Sequence, residues 1–403
     1  MKIALVIANY DSTGGGAERW TDHHVRKLIE RGHEVHIVAR QIKGPPEGAV
    51  CHAFAQPRWR TRLQRAIPAG GHRLAFARTA ERFLKQERFD LIHDMADGWY
   101  ADVVQPQFGC RAANYRAVTD SRPAWERIIR RIMYVTVPRN FAFRKMERLQ
   151  YADNPDRPGK IVIAVSDLVR SHMQRYFRVP DERVRVIYNG IDTSVFSPGG
   201  HETERQRVRK ELGFEDRTVF LLIAVNYKLK GLDPLLAAMA RLVQQGQRVG
   251  LVVVGNGDVD SYQQRATKLG CAEAVRILGR QLSTLPYYHA ADVHVHPTYY
   301  DACSLTVLEA MACGKPVITT RLNGAAGFVT PGSEGFLIDV PDNLDGLCSH
   351  MASLQDAALR QKMGIAARAQ AERHSLDDNF NQIHALYEEI LARRASRPSD
   401  SSR

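Results

Sequence analysis

The sequence has no apolar run near the roughly 18–20 residues that a membrane-spanning helix needs, so no such helix is expected. Cysteine is scarce and scattered, at positions 51, 110, 271, 303, 313 and 348, with no C-x-x-C pair. That argues against a disulfide frame or a zinc cluster and fits reduced thiols in a cytosol. Neither G-x-G-x-x-G nor G-x-x-x-x-G-K-[ST] occurs, so the two common phosphate-cradling loops are not matched. No short internal repeat and no aromatic-basic RNA motif are present, and nucleic acid is not an expected partner despite a pI near 9.5. Lysine and arginine, unlike the acids, are unevenly spread along the chain. Residues 1–190 hold 33 Lys and Arg against 20 Asp and Glu, a net of +13, while the whole chain is +12. The positive field therefore belongs to the N-terminal half, which should meet something anionic.

A chain of 403 residues is too long for one ordinary core and comfortable for two domains. With 44% apolar and 25% charged residues, it can bury a sizeable core. The opening stretch MKIALVIANYDSTGGG has an apolar run only from Ile3 to Ala8, followed at once by polar residues and glycine. It reads as a buried first strand rather than a signal peptide.

Strand and helix signals alternate, as in parallel α/β layers. KIALVIA has strand length; a Gly-rich turn, a helix with Ala17, Trp20, His24 and Leu28 at helical spacing, and the strand EVHIVAR follow. RFDLIHDM gives a further strand. The pattern restarts with RTVFLLIAV, LDPLLAAMARLVQQGQ, RVGLVVVGNGD and ADVHVHPT. The turn-rich stretch VIYNGIDTSVFSP marks the boundary. The expected division is 1–185, 186–375, a C-terminal helix over 376–393 returning to the N-terminal domain, and a disordered polar tail over 394–403.

Several stretches carry chemistry beside a plainer reading. In YYDACSLTVLEAMACGKPVITT, Ser304 suits an N-cap, with a helix from Leu305 to Cys313 and Gly314 beyond its end. Free amides at Leu305, Thr306 and Val307 would suit a diphosphate, and Glu309 a ribose diol. The spacing equally fits a capped buried helix with two incidental acids, Asp301 and Glu309. In AVNYKLKGLDPLL, Lys228 and Lys230 follow a strand end; they either face a diphosphate or are two solvated turn lysines. Gly14, Gly15 and Gly16 taken alone make a tight turn. His93, Asp94 and Asp97 follow a strand, as a base or sugar acceptor or as loop residues. His294 and His296 read as ordinary strand histidines, and no metal site is expected. Residues 111–150 hold 10 Arg and Lys against 3 acids, and Trp125, Ile128, Ile129, Ile132 and Met133 form an apolar stripe. That stretch is either a membrane-surface helix or one packed on the domain with its arginines in water.

Taken together, IALVIANYDSTGGGAER, VIYNGIDTSVFSP, AVNYKLKGLD and HPTYYDACSLTVLEAMACGKPVITT resemble the family 4 glycosyltransferases over most of the chain. The last stretch looks like that family's E-x7-E motif, and the shortened lysine loop is nearest to the lipopolysaccharide-core glucosyltransferase branch. The resemblance implies an α/β fold of two Rossmann-like α/β/α domains facing across a cleft (GT-B). It implies a retaining, metal-independent hexosyltransferase with no cofactor beyond a nucleotide-diphosphate sugar, UDP-glucose by this branch, as co-substrate.

Carried over by position, Glu309 matches the ribose-holding acid, and Asp301 stands where the first acid is normally Glu, a methylene shorter. Lys230 matches the Lys before Gly that neutralises the diphosphate. The family's usual Arg is Ala224 here, leaving Lys228 as its substitute. Gly15 and Gly16 match the Gly-Gly loop; Asn226, Arg280, Ser304, Leu305 and Thr306 complete the donor set. The usual acceptor-side H-x-H is His93-Asp94-Met95 here, and Asp97 and His93 are the candidates on that side. The expected partners are a nucleotide-sugar donor, a glycan or glycolipid acceptor, and an anionic membrane surface met through residues 111–150. The expected location is the cytoplasm, at the inner face of the cytoplasmic membrane. A soluble sugar or glucan acceptor, or a non-catalytic scaffold of this fold, are the alternatives.

Overall fold

The computed structural model describes residues 1–12, 16–54, 71–200 and 202–396. The chain divides into two compact units, Met1–Tyr188 with Asn379–Arg403, and Asn189–Asp378. The division falls three residues after the boundary expected at 185/186.

The first unit is built on a seven-stranded sheet in the order β3-β2-β1-β4-β5-β6-β7. Its strands are β1 (Lys2–Asp11), β2 (Glu34–Lys43), β3 (Ala49–Ala53), β4 (Leu91–Asp94), β5 (Val103–Val104), β6 (Ile161–Ala164) and β7 (Val184–Val186). All pairings are parallel. The apolar run Ile3–Val6 is buried throughout, because helices cover both faces of a parallel sheet. The C-terminal helix Leu376–Ala395 supplies Phe380, Ile383, Leu386, Tyr387 and Ile390 to the buried set. It runs two residues past the end expected at 393. Arg394, assigned to the disordered tail, is helical and bonds Asp102 and the Asp90 carbonyl, which holds the last turn in place. Residues 397–403 lie outside the described ones.

The second unit holds a six-stranded parallel sheet in the order β10-β9-β8-β11-β12-β13. The strands are β8 (Thr218–Ile223), β9 (Val249–Val254), β10 (Val275–Ile277), β11 (Val293–His296), β12 (Val317–Thr320) and β13 (Gly335–Ile338). VGLVVV of β9 is buried at every position, as a central parallel strand must be. In the boundary motif, Ile191 exchanges backbone hydrogen bonds with His374 and Leu376. A Cβ at Gly190 would lie 2.3 Å from the Ser375 carbonyl oxygen, so only glycine fits there.

In each sheet the strand order reverses once, between β1 and β4 and between β8 and β11. Ligands of open α/β sheets bind beyond the carboxyl ends of strands at such a point. Among the described residues no helix is long and apolar enough to cross a membrane.

Candidate active site

In the second unit the switch point lies beyond Ile223 and His296. The turn after β8 is tightly fixed. Asn226 adopts a left-handed backbone (φ +71°), its side chain accepts from Leu229 N–H at 3.2 Å, and its carbonyl accepts from Lys230 N–H at 3.1 Å. The Leu229 carbonyl then accepts from Tyr299 N–H at 2.9 Å and from the Thr298 hydroxyl at 3.1 Å. The turn after β8 is thereby fastened to the segment leaving β11. Gly231 makes this possible: its φ is +75°, and a Cβ there would sit 1.9 Å from the Pro297 carbonyl oxygen.

This fastening brings Lys230 to Asp301. Lys230 Nζ donates to Asp301 Oδ2 at 2.6 Å and to the Tyr300 carbonyl at 3.3 Å. His296 Nε2 approaches the same carboxylate oxygen at 3.4 Å. Burial pushes the Asp301 carboxyl up, but the Lys230 charge and His296 outweigh it and hold the group well below the ordinary carboxylate range. Asp301 is therefore an anion whose counter-ion is the lysine expected to meet the diphosphate.

The Asp301 backbone is clamped from the far side, its N–H donating to the Leu322 carbonyl and its carbonyl accepting from Gly324 N–H. Asn323 Oδ1 accepts from Ser304 N–H at 3.2 Å. The helix Leu305–Ala312 begins there, one residue shorter than expected, with Cys313 as its C-cap. Ser304 occupies the N-cap, but its hydroxyl bonds the Thr306 hydroxyl at 2.9 Å instead of an amide. The first-turn amides of Leu305 and Thr306 thus receive no side-chain cap and remain available to an anion at the positive helix end. Glu309 lies one turn in, 6% exposed, and accepts from the Tyr288 hydroxyl at 2.6 Å.

Lys228 lies half-buried on the same turn, with no carboxylate in ion-pairing reach among the described residues. Arg280 is exposed just beyond β10, two strands from β8. His296, Tyr288 and Asn323 belong to the cluster and were not among the candidates. The alternation in VHVH was visible, but the neighbour of His296 is fixed only by the turn at Pro297–Asp301. Among the described residues no group of three His, Cys, Asp or Glu is arranged to hold a metal ion.

In the first unit, Asp97 sits at the switch point between β1 and β4. Its Oδ2 accepts from Ala8 N–H at 2.8 Å, and Oδ1 lies 3.4 Å from Arg73. Asp94 shapes this loop by accepting from the N–H groups of Asp97 and Gly98. Burial raises the Asp94 carboxyl to about 7, against the lowering effect of those bonds. His93 does not fit the acceptor-side role expected for it. It is wholly buried, its Nδ1 bonds the Tyr387 hydroxyl at 2.5 Å, and burial lowers its pKa to about 3. On a fully covered strand, the side chain preceding Asp94 faces the core. Gly15 lies outside the described residues, and Gly16 opens the helix Gly16–Glu30.

The basic stretch contains the helix Ala124–Thr136, which buries no residue. Trp125, Ile128 and Ile132 are 64, 62 and 57% exposed, so the apolar stripe faces outward. Arg130 turns inward over the Tyr115 ring. The packed alternative, with the stripe against the domain, is not what is observed.

Residues 14–195 match the family model Glycosyltransferase Family 4, and residues 204–370 match Glycosyl transferases group 1. D-inositol 3-phosphate glycosyltransferase from Corynebacterium jeikeium (strain K411) is 31% identical over 258 residues, 61% of this chain and 60% of that protein. The protein of the same name from Thermobifida fusca (strain YX) is 29% identical, over 57% of this chain and 55% of that one. The match thus spans at most 60% of the length of these curated relatives, whose name is not that of a lipopolysaccharide-core enzyme. Among solved structures, WaaG, a glycosyltransferase involved in lipopolysaccharide biosynthesis, superposes with a TM-score of 0.77 at 20% identity, over 96% of this chain and 99% of that one. Anabaena Alr3699/HepE in complex with UDP-glucose gives 0.69 at 20% identity, over 96% and 100%. At such identities the likeness establishes the fold, two Rossmann-like α/β/α domains of the GT-B type. With residues 14–195 in Glycosyltransferase Family 4 and residues 204–370 in Glycosyl transferases group 1, the chain belongs to the glycosyltransferases.

Proposed function

We propose that the protein transfers a hexose, retaining its anomeric configuration, from a nucleotide-diphosphate sugar to a glycan or glycolipid acceptor. The observation that carries this reading is the Lys230–Asp301 pair beside the uncapped helix end at Leu305, all at the switch point of the second sheet. Negative charge grows on the departing diphosphate as the sugar becomes oxocarbenium-like. Lys230, Lys228 and the helix-end amides supply the positive potential that stabilises it, without a metal ion. Glu309, steadied by Tyr288, holds the ribose. UDP-glucose is the proposed donor; the solved HepE complex contains it.

A lipid-linked or lipopolysaccharide-core acceptor at the inner face of the cytoplasmic membrane is favoured by the outward apolar stripe of Ala124–Thr136 in the basic half. A soluble phosphorylated polyol is the second reading, favoured by the name of the curated relatives. A thermal-shift panel of UDP-, GDP- and ADP-sugars tests the donor, because a ligand of the folded state raises its melting temperature. Turnover on lipopolysaccharide core against inositol phosphate then separates the acceptors. Lys230→Ala and Glu309→Ala should each cut turnover by orders of magnitude; full activity in both would remove the site assignment. Replacing Trp125, Ile128 and Ile132 together by Ser should abolish sedimentation with anionic vesicles while changing stability by no more than about 0.5 kcal/mol per position, as for exposed positions generally.

A further inference from the structure

The buried side of the donor site holds two histidines that the proposed reaction does not use. His296 is 1% exposed and His294 is fully buried, their rings 5.8 Å apart. Neither ring nitrogen of His296 has a hydrogen bond of good geometry, although Nε2 is 3.4 Å from Asp301 Oδ2. That oxygen already accepts from Lys230 at 2.6 Å. A buried imidazole thus stands within a few tenths of an ångström of bonding a carboxylate that another cation holds.

A difficulty arises when a diphosphate binds. The Lys230 ammonium must turn toward it, and Asp301, half-buried and clamped through its backbone at Leu322 and Gly324, would lose its counter-ion, which is unfavourable. We propose that His296 takes over Asp301 as Lys230 engages the diphosphate, binding a proton from solvent as it does so, so that donor binding is coupled to proton uptake. This rests on the donor-site reading above. The charges then match more closely: Lys230 offsets one of the two negative charges of the diphosphate, Lys228 and the helix-end amides face the other, and the new imidazolium neutralises Asp301. The titratable and charged groups facing His296 are Lys230, Asp301 and His294. Without a ligand, burial and Lys230 keep His296 below its ordinary pKa while Asp301 opposes them. Withdrawal of the lysine and arrival of the diphosphate both shift the balance toward protonation. His296 is thereby a positioning residue, acting on the sugar only through Asp301 and Lys230.

The test is isothermal titration calorimetry with UDP-glucose, GDP-mannose and ADP-glucose, in buffers of different ionisation enthalpy. A nucleotide sugar suits this purpose because its diphosphate is fully ionised at neutral pH and exchanges no proton itself. The wild-type protein should take up a fraction of a proton per donor, increasing from about pH 8 toward about pH 6. His296→Gln keeps an N–H donor for Asp301 but cannot titrate. It should bind within about tenfold of wild type, the scale of one hydrogen bond, with the uptake lost. Asp301→Asn should also lose the uptake. Wild-type binding without proton exchange, or an unchanged uptake in His296→Gln, overturns the inference alone. Failure of all three donors to bind overturns the donor-site reading and the inference with it.

Discussion

The ammonium of Lys230 and the carboxylate of Asp301 share a 2.6 Å bond, and each is the other's main source of charge balance. Removing the lysine strands a carboxylate beneath His296; neutralising the acid leaves an ammonium at the rim. Lys230→Ala should therefore destabilise the second unit by about 3 kcal/mol, the scale of a broken enclosed ion pair, and Asp301→Asn by clearly less. The double variant should recover part of the loss, giving a favourable coupling in a denaturation cycle. Additive losses would mean that the pair contributes nothing in the free protein. The two acids and the lysine were legible from the sequence, because the motif and its flanks name residue types at fixed spacings. Their pairing was not, since Lys230 and Asp301 are 71 positions apart and meet only because β8 and β11 are neighbours. His93 was misjudged for a related reason: alternation along β4 turns one side chain to the core and the next to the loop, and local polarity does not say which.

The turn after β8 acts as a unit with the segment after β11, and Gly231 is where they touch. Gly231→Ala places a Cβ 1.9 Å from the Pro297 carbonyl oxygen at a φ of +75°. Gly246 has nearly the same φ, +74°, and open space around it, so Gly246→Ala measures the backbone strain alone. That strain is about 1–2 kcal/mol for a left-handed residue. Gly231→Ala should lose substantially more in urea denaturation and should weaken nucleotide-sugar binding, whereas Gly246→Ala should leave binding intact. Equal losses would show that the turn can pull away from Pro297 freely. Elements of this kind were largely legible: continuous apolar runs became buried parallel strands, and the Ala124–Thr136 stripe became a helix. Its orientation was not legible, because periodicity defines a face without saying what the face meets.

Across the whole molecule, the uneven charge was plain from composition, but the buried titratable groups of the first unit were not, since burial is a property of the assembled sheet. Their effects on stability oppose one another. Burial lowers His93 from 6.5 to about 3, so between these values the unfolded chain holds a proton that the folded one lacks, and stability rises with pH. Asp94 is raised from 3.8 to about 7, so the folded chain holds the extra proton there, and stability falls as pH rises. Glu147, raised to about 7 by burial, acts in the same direction as Asp94. The wild-type curve between about pH 4 and about pH 6.5 is therefore flattened by partial cancellation. Asp94→Asn keeps an oxygen for the Asp97 and Gly98 amides but removes one falling contribution. Its stability relative to wild type should rise with pH across this window, by up to about 1.4 kcal/mol per pH unit. Urea midpoints at a series of pH values read this slope directly, and a constant offset between the proteins does not affect it. Parallel curves would mean that the Asp94 carboxyl titrates in its ordinary range, and that the loop carrying Asp97 is held by an ionised acid instead of a neutral one.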